Sequence, residues 1–393
     1  MPNGKKCVLI LCVLPFFFVT SCSIQKDIGK LILATAVAID QSDTEDNGVK
    51  LTVETQKTMS ASSSQGGAQK KPIILISQGQ TVFDADRNFS AYTEKSLFWG
   101  HTQYIVVGES AARDDIRKYL DFFIRNHENR LNAHVMVVQE ESGEELLKSG
   151  DEDLVTNKLK SLVDNVGDMS LSKEITLVEF VEALGSKYSA AYLPCLKIVE
   201  KPEGSGGNDY VQDIVLGGYA IFKGTRLQDF ITGKEARGLN WVTGDVKSGI
   251  IVVKDKDGKD ISLEIISAKT KIKTKLIDGI PNIEIKIKVN SNIGELEGAS
   301  DVFNAEALSE LARQQADVIR EEISSVVEFA KQNNTDILGF GDKIFHQHPV
   351  QWEGIKDKWS ELFLKTIVRI EVEPNISGVY NITKAVRSWE GSE

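Results

Sequence analysis

Cysteine and histidine are scarce in this chain: 393 residues carry four Cys and five His. The cysteines are Cys7, Cys12, Cys22 and Cys195, too few and too scattered for a disulfide scaffold or a cysteine-built zinc site. There is no Gly-x-Ser-x-Gly elbow, no His-Glu-x-x-His pair and no Gly-Lys-Ser/Thr phosphate loop. Excess positive charge is also missing. Lys plus Arg is 46 against 57 for Asp plus Glu, a net charge of -11, which argues against binding nucleic acid by broad phosphate neutralisation. Apolar runs long enough for several membrane spans are absent, which excludes a polytopic membrane protein. No internal repeat is visible. What remains is a globular composition, 41% hydrophobic and 26% charged, and a length suited to two or three domains.

The start of the chain is processing signal. Lys5 and Lys6 precede Val8 to Val19, an apolar run of 12 residues interrupted by Pro15. A spanning helix needs about 20 residues, so residues 1–21 are expected to be a secretory signal peptide. Val19-Thr20-Ser21-Cys22 has the order of a bacterial lipobox: apolar, small, small, cysteine. Cys22 is therefore the expected lipidation site, with cleavage before it and membrane attachment through the lipid. Processing removes Cys7, Cys12 and the two lysines, so the charge goes from -11 to -13. Cys195 is left without a partner. It sits in the apolar run Ala190 to Ile198 and reads as a buried small hydrophobe. Ser23 to Asp27, five residues before the first strand-like run, reach at most about 17 Å, which keeps the folded body near the bilayer.

The remainder has the pattern of an α+β (mixed α/β) multi-domain protein with antiparallel and mixed sheets. Residues 22–139 are expected to form an N-terminal α/β domain. Lys30 to Asp40 and Val49 to Thr58 read as a hairpin, Met59 to Lys71 as a polar loop, and Thr81 to Lys95 as a helix. His101 to Gly108, Glu109 to Arg125 and Asn132 to Gln139 read as strand, amphipathic helix and strand, a right-handed crossover. Residues 140–209 are expected to be a mainly helical middle region, broken at Asp164 to Ser170, with Ser172 or Thr176 starting the next helix. Lys201 to Asp209, with Pro, Gly and Ser, reads as the domain boundary. Residues 210–393 are expected to be a C-terminal α+β domain. There, three strands form a meander with Asp-Gly turns, and a long helix over Ala299 to Asn333 packs on it before a final strand, Leu364 to Val372.

Candidate chemistry is thin. Asp255-Lys256-Asp257-Gly258-Lys259-Asp260 has its Gly fourth rather than sixth and strand-like flanks, so it reads as a hairpin turn and not a calcium loop. His346 and His348 lack a third ligand nearby. Gly339-Phe340-Gly341 lacks the third glycine of a phosphate-cradling loop, and Glu140-Glu141 reads as solvated surface. No catalytic, cofactor-binding or metal residue is assigned.

An ordered set of motifs resembles one family. After the lipobox come Ala36-Val37-Ala38-Ile39-Asp40, then Leu97-Phe98-Trp99-Gly100-His101 with Tyr104 to Glu109, Leu120 to Arg125 and Glu128-Asn129-Arg130-Leu131. Further on are Gly217 to Phe222, Thr232 to Trp241, Gly339-Phe340-Gly341, Pro349-x-x-Trp352 and Trp359. Together these resemble the Ger(x)C family, the lipoprotein C subunits of spore germinant receptors, with Ala replacing both glycines of its early Gly-Ile-Gly-Ile-Asp strand. The resemblance implies three α/β-type domains and a non-enzymatic role. It also implies a complex with two membrane-embedded receptor subunits at the outer face of the inner spore membrane, where nutrients trigger germination. It does not say which germinant is sensed or whether this subunit touches it. Phe98, Trp99, Trp352 and Trp359 are expected in cores or domain packing, and Gly100, Gly339 and Gly341 at backbone turns. The alternative reading is a solute-binding lipoprotein of a transporter.

Overall fold

The structure is a computed structural model and describes residues 31–43, 48–55, 72–150, 154–202, 210–297 and 302–379. The signal peptide, Cys22 and the polar loop expected at 59–71 lie outside the described residues.

The first sheet follows the expected hairpin and crossover. Its strands are β1 (Leu31–Gln41), β2 (Val49–Thr55), β3 (Ile73–Gly79), β4 (Ser96–Phe98), β5 (Tyr104–Val107), β6 (His134–Val138), β7 (Tyr192–Pro202), β8 (Tyr210–Lys223) and β9 (Arg226–Ile231). The order is β3-β2-β1-β5-β6-β7-β8-β9, with β4 also beside β1. The centre β1-β5-β6-β7 is parallel and both flanks are antiparallel. Parallel strands are covered on both faces, which is why the central segments are apolar throughout. Val37, Ile39, Ile105, Val107, Val135 and Val137 face one core, and Ala36, Ala38, Val106, Met136 and Val138 the other. The first core is closed by α1 (Val82–Asn88), α2 (Glu109–Arg113), α3 (Ile116–Arg125) and α7 (Leu177–Gly185). The second is closed by α4 (Gly143–Lys148) and α5 (Val155–Asp164), with α6 (Val166–Met169) following.

Two helix starts are held by buried carboxylates from the sheet. Asp40 accepts from the backbone N–H groups of Gly143 and Glu144 at 2.8 and 2.9 Å. Glu54 accepts from those of Val155 and Thr156 at 2.5 and 3.1 Å. Each carboxylate satisfies donors that the first helical turn leaves unpaired. Burial pushes the Asp40 carboxyl above its ordinary range, against the pull of its two N–H donors. Ala38 fits here because Gly143 has no side chain: a Cβ on Gly143 would stand 2.7 Å from that of Ala38.

Two local expectations change. The helix expected over Thr81 to Lys95 stops at Asn88 and tightens into a single 3-10 turn, Phe89–Ala91. Of the two candidate starts, Thr176 caps α7 in a reciprocal arrangement with Glu179, whereas the Ser172 hydroxyl donates to Gly218 O.

Of the polar stretch Lys201 to Asp209, Lys201 and Pro202 are the last residues of β7, and residues 203–209 lie outside the described residues. β7 and β8 pair antiparallel from Tyr192–Ile221 to Pro202–Tyr210, so residues up to Ile231 continue the sheet begun at Leu31. The helices of the middle region cover that same sheet. Turn-forming composition marks a change of chain direction, and a hairpin and an interdomain linker share it.

The second sheet is β10 (Ile250–Lys254), β11 (Asp260–Ile277), β12 (Ile280–Leu296) and β13 (Ile367–Val379), in that order. The meander is antiparallel and β13 joins β12 in parallel. Asp278 and Gly279, at φ +52° and +76°, make the tight turn between β11 and β12. Helices α8 (Gly233–Thr243), α9 (Ala305–Gln332), α10 (Phe340–Gln347), α11 (Pro349–Glu353) and α12 (Trp359–Lys365) supply the core over one face. The long helix therefore starts at Ala305, capped by Asn304, whose side chain accepts from Ala307 N at 2.9 Å. The other sheet face carries exposed side chains. The two units share a core: Tyr219, Ile221 and Ile231 of the first sheet pack with Leu239, Trp241 and the α9 apolar face.

Candidate functional site

The motif stretch from Leu97 to Glu128, together with α1 and the segment after it, lines a groove between α1 and α3 with a volume of about 1100 Å³. Trp99 forms its floor at 1% exposure, donating through Nε1 to Asp86 Oδ1 at 3.0 Å. Its ring meets Phe122 and Phe123 edge-on at 5.8 and 5.6 Å. Phe83, 52% exposed, stacks on Phe122 at 5.8 Å, and the Arg87 guanidinium covers its ring at 4.9 Å. Gly100 has no positive φ. It sits in the 3-10 turn Trp99–His101, and a Cβ there would come 2.6 Å from the Phe98 ring, whose side chain would have to shift.

The Thr232 to Trp241 motif is a helix–helix contact. Gly233 starts α8 at φ +52°. Glu235 accepts from Ser325 Oγ of α9 at 2.7 Å. Gly238 lies against the Glu322 backbone, where a Cβ would come within 2.1 Å of the carbonyl oxygen. Glu322, 4% exposed, accepts from Arg237 Nε at 2.9 Å and from Trp241 Nε1 at 2.8 Å. A buried carboxylate so enclosed is held by charge-assisted bonds on both oxygens.

The C-terminal motif fastens the second unit to residues 188–190. Asp336 accepts from Phe340 N at 3.1 Å and Gly341 N at 2.7 Å, while its own carbonyl accepts from Ala190 N at 2.8 Å. Burial pushes the Asp336 carboxyl up to about 7, against those N–H donors. Trp352 meets Tyr188 at 4.7 Å and Trp359 at 5.3 Å, and Trp359 Nε1 donates to Tyr188 O at 3.2 Å. Gly341 lies against Tyr188 O and the Trp359 indole, and Gly339 takes φ +68° at the helix start. These aromatics are packing residues, as the sequence suggests.

Between the units lies a cleft of about 910 Å³. Its wall holds Lys173, 2.8 Å from Asp245 and 5.4 Å from the Tyr192 ring centre. Burial pulls the Lys173 ammonium down, but Tyr192 and Asp245 outweigh it and the group ends above its ordinary value. The sequence could not flag this pair, because its members are 72 residues apart in the chain.

The remaining candidates do not converge. His348 Nε2 lies 2.7 Å from Thr274 O, whereas the His346 ring packs on Phe345. Among the described residues, no group of three His, Cys, Asp or Glu could hold a metal ion. Asp255 Oδ1 accepts from Asp257 N and Lys259 N, both at 2.8 Å, which makes that segment the β10–β11 turn. Cys195 is buried, and burial pushes its thiol up to about 12. Glu140 is a surface residue paired with Lys197 at 2.9 Å. Cys22 lies outside the described residues.

Two family models match in tandem. Residues 25–198 match the spore germination protein N-terminal domain, and residues 217–380 match the C-terminal domain described as spore germination B3/GerAC like. The chain belongs to the GerAC-like family of spore germination proteins. It is similar to spore germination protein KC of Bacillus subtilis (strain 168), 24% identical with 92% of each chain covered. Spore germination protein B3 of the same organism is 25% identical, over 88% of this chain and 91% of its own. The fold is that of the crystal structure of the GerBC protein, with a TM-score of 0.51, 19% identity and 87% of this chain covered. The GerAC-like match has a structural corollary. The first matched region ends in β7 and the second begins in β8, its neighbour in the same sheet.

Proposed function

We propose that this protein is the lipid-anchored C subunit of a spore germinant receptor, acting by association and not by turnover. Its partners are two membrane-embedded receptor subunits at the outer face of the inner spore membrane, and Cys22 carries the anchor. The observation that carries the reading is the pair of germination-family matches that together run along nearly the whole chain. The relatives named as spore germination proteins favour it over a transporter's solute-binding lipoprotein. The lipobox at Cys22 supports the anchor. No helix among the described residues is long and apolar enough to cross a membrane, so attachment is left to the lipid in this reading.

The groove at Phe83 and Phe122 suits protein association, since the exposed Phe83 ring, stacked on half-buried Phe122 over a buried tryptophan, supplies area at little entropic cost. The test is twofold. Cys22→Ala should move the protein from the membrane fraction to the salt wash. Phe83→Asp should leave fractionation unchanged but abolish co-purification with the membrane-embedded subunits. A Cys22→Ala protein that resists the wash refutes the anchor, and normal nutrient germination in a deletion strain lacking paralogues refutes the receptor role.

A further inference from the structure

One face of the second sheet, left uncovered by the described residues, carries a row of positive charge. Lys269, Lys271, Lys273 and Lys275 alternate along β11, and all four are exposed. Side chains two residues apart share one face, so the row runs about 20 Å. Among the described residues, none of the four makes an ion pair or side-chain hydrogen bond. Their cross-strand partners make this worse. Lys269 stands opposite Lys288 and Lys271 opposite Lys286, and like charges directly opposite are destabilising. Lys286 and Lys288 are themselves neutralised by Glu371 and Glu373 on β13. Glu284, opposite Lys273, forms no ion pair with it.

The row leads to an apolar tip. Past Lys275, the β11–β12 turn presents Ile277 and Ile280, 53% and 36% exposed, and Ile367 of β13, opposite Asn282, lies on the same face. Lysines on an edge strand discourage pairing with another chain, and β11 is an edge beyond its short pairing with β10. That role does not call for exposed isoleucines at the end of the row.

We infer that this sheet face docks on the anionic surface of a phospholipid bilayer, with the lysine row over the headgroups and the isoleucine tip at the acyl boundary. The inference rests on the anchored-subunit reading, because it needs a bilayer close by. The eight residues between Cys22 and Leu31 reach at most about 28 Å. Charge complementarity selects the occupant. A chain of net charge -13 after processing is repelled by an anionic membrane unless it turns a basic face to it. Strongly hydrated ammonium groups alternating along one strand match a diffuse charged surface. Basic residues flanking apolar ones form an interfacial arrangement.

The test uses residues 23–393, which hold every described element, with vesicles of phosphatidylcholine alone or with 30% phosphatidylglycerol. At low salt the chain should sediment with the anionic vesicles only. Each lysine replaced by Gln should weaken partition about fivefold. Replacing all four should weaken it several hundred-fold, and raising the salt should weaken wild-type binding in the same direction. Ile277→Ser with Ile280→Ser should weaken binding equally at low and high salt. Thermal unfolding of each variant reports its folding, and the Lys271→Gln, Lys273→Gln double variant serves if the quadruple one fails to fold. Equal binding to both vesicle types, or unchanged binding by the lysine variants, overturns the inference. Lysine-dependent binding to polyglutamate without vesicle binding also overturns it and assigns the face to an acidic protein segment. None of these results depends on lipidation, so they are separable from the Cys22→Ala fractionation.

Discussion

Replacing Gly238 by Ala tests whether the Thr232 to Trp241 motif exists for helix packing. The added Cβ would stand 2.1 Å from Glu322 O, 2.8 Å from Glu322 C and 3.1 Å from Val326 Cγ1. Two of these atoms are backbone in the middle of the 28-residue helix α9, so they cannot rotate aside. The helices must separate by about 1 Å, which also stretches the bonds from Arg237 and Trp241 to Glu322. Overpacking of this kind costs about 3 kcal/mol. Alanine regains about 1 kcal/mol of helix propensity, leaving a net loss of about 2 kcal/mol. At 2–4 °C per kcal/mol, the unfolding transition of the second unit should fall by roughly 4–8 °C. Thermal unfolding followed by circular dichroism and indole fluorescence reads it directly, since Trp241 is in the affected contact. The control is Gly185→Ala at the end of α7, where a Cβ would meet nothing within 4 Å. A Gly238→Ala protein as stable as wild type, or a control equally destabilised, would refute the packing argument.

Asp336 makes stability depend on pH. Its folded-state pKa of about 7 lies above the ordinary 3.8, so its contribution is complete below pH 4 and is lost as pH rises towards 7. The loss should approach 4 kcal/mol, and Asp336→Asn should flatten the slope of urea-unfolding free energy across that window; an unchanged slope refutes the assignment. Cys195, with its thiol pushed up to about 12, should resist a disulfide reagent at pH 8 in the folded chain and react fully in denaturant. Rapid native-state labelling would show that the site opens.

The elements were largely legible because strand and helix periods are local. The alternation in β11 and the three-to-four spacing in α9 are written into consecutive residues. The end of α1 at Asn88 was not, because the apolar residues beyond it serve a 3-10 turn and the β4 approach. The motifs were visible as a set without their reasons. Gly341 reads as a turn glycine, yet a Cβ there would meet Tyr188 O at 2.7 Å and the Trp359 indole at 2.8 Å, partners supplied by distant parts of the chain.

By itself, then, the amino-acid order determined the signal-like and lipobox pattern at Cys22, the segment types and the family. Tertiary structure alone decided that β7 and β8 are neighbours in one sheet, that Lys173 meets Asp245, and that Gly238 lies against Glu322. It also decided that the lysine face of β11 is left uncovered by the described residues. The physical reason is common to all of these. Periodicity tells a residue which way it points, but which chain segment covers that direction depends on partners tens of residues away, brought together only when the sheets and helices pack.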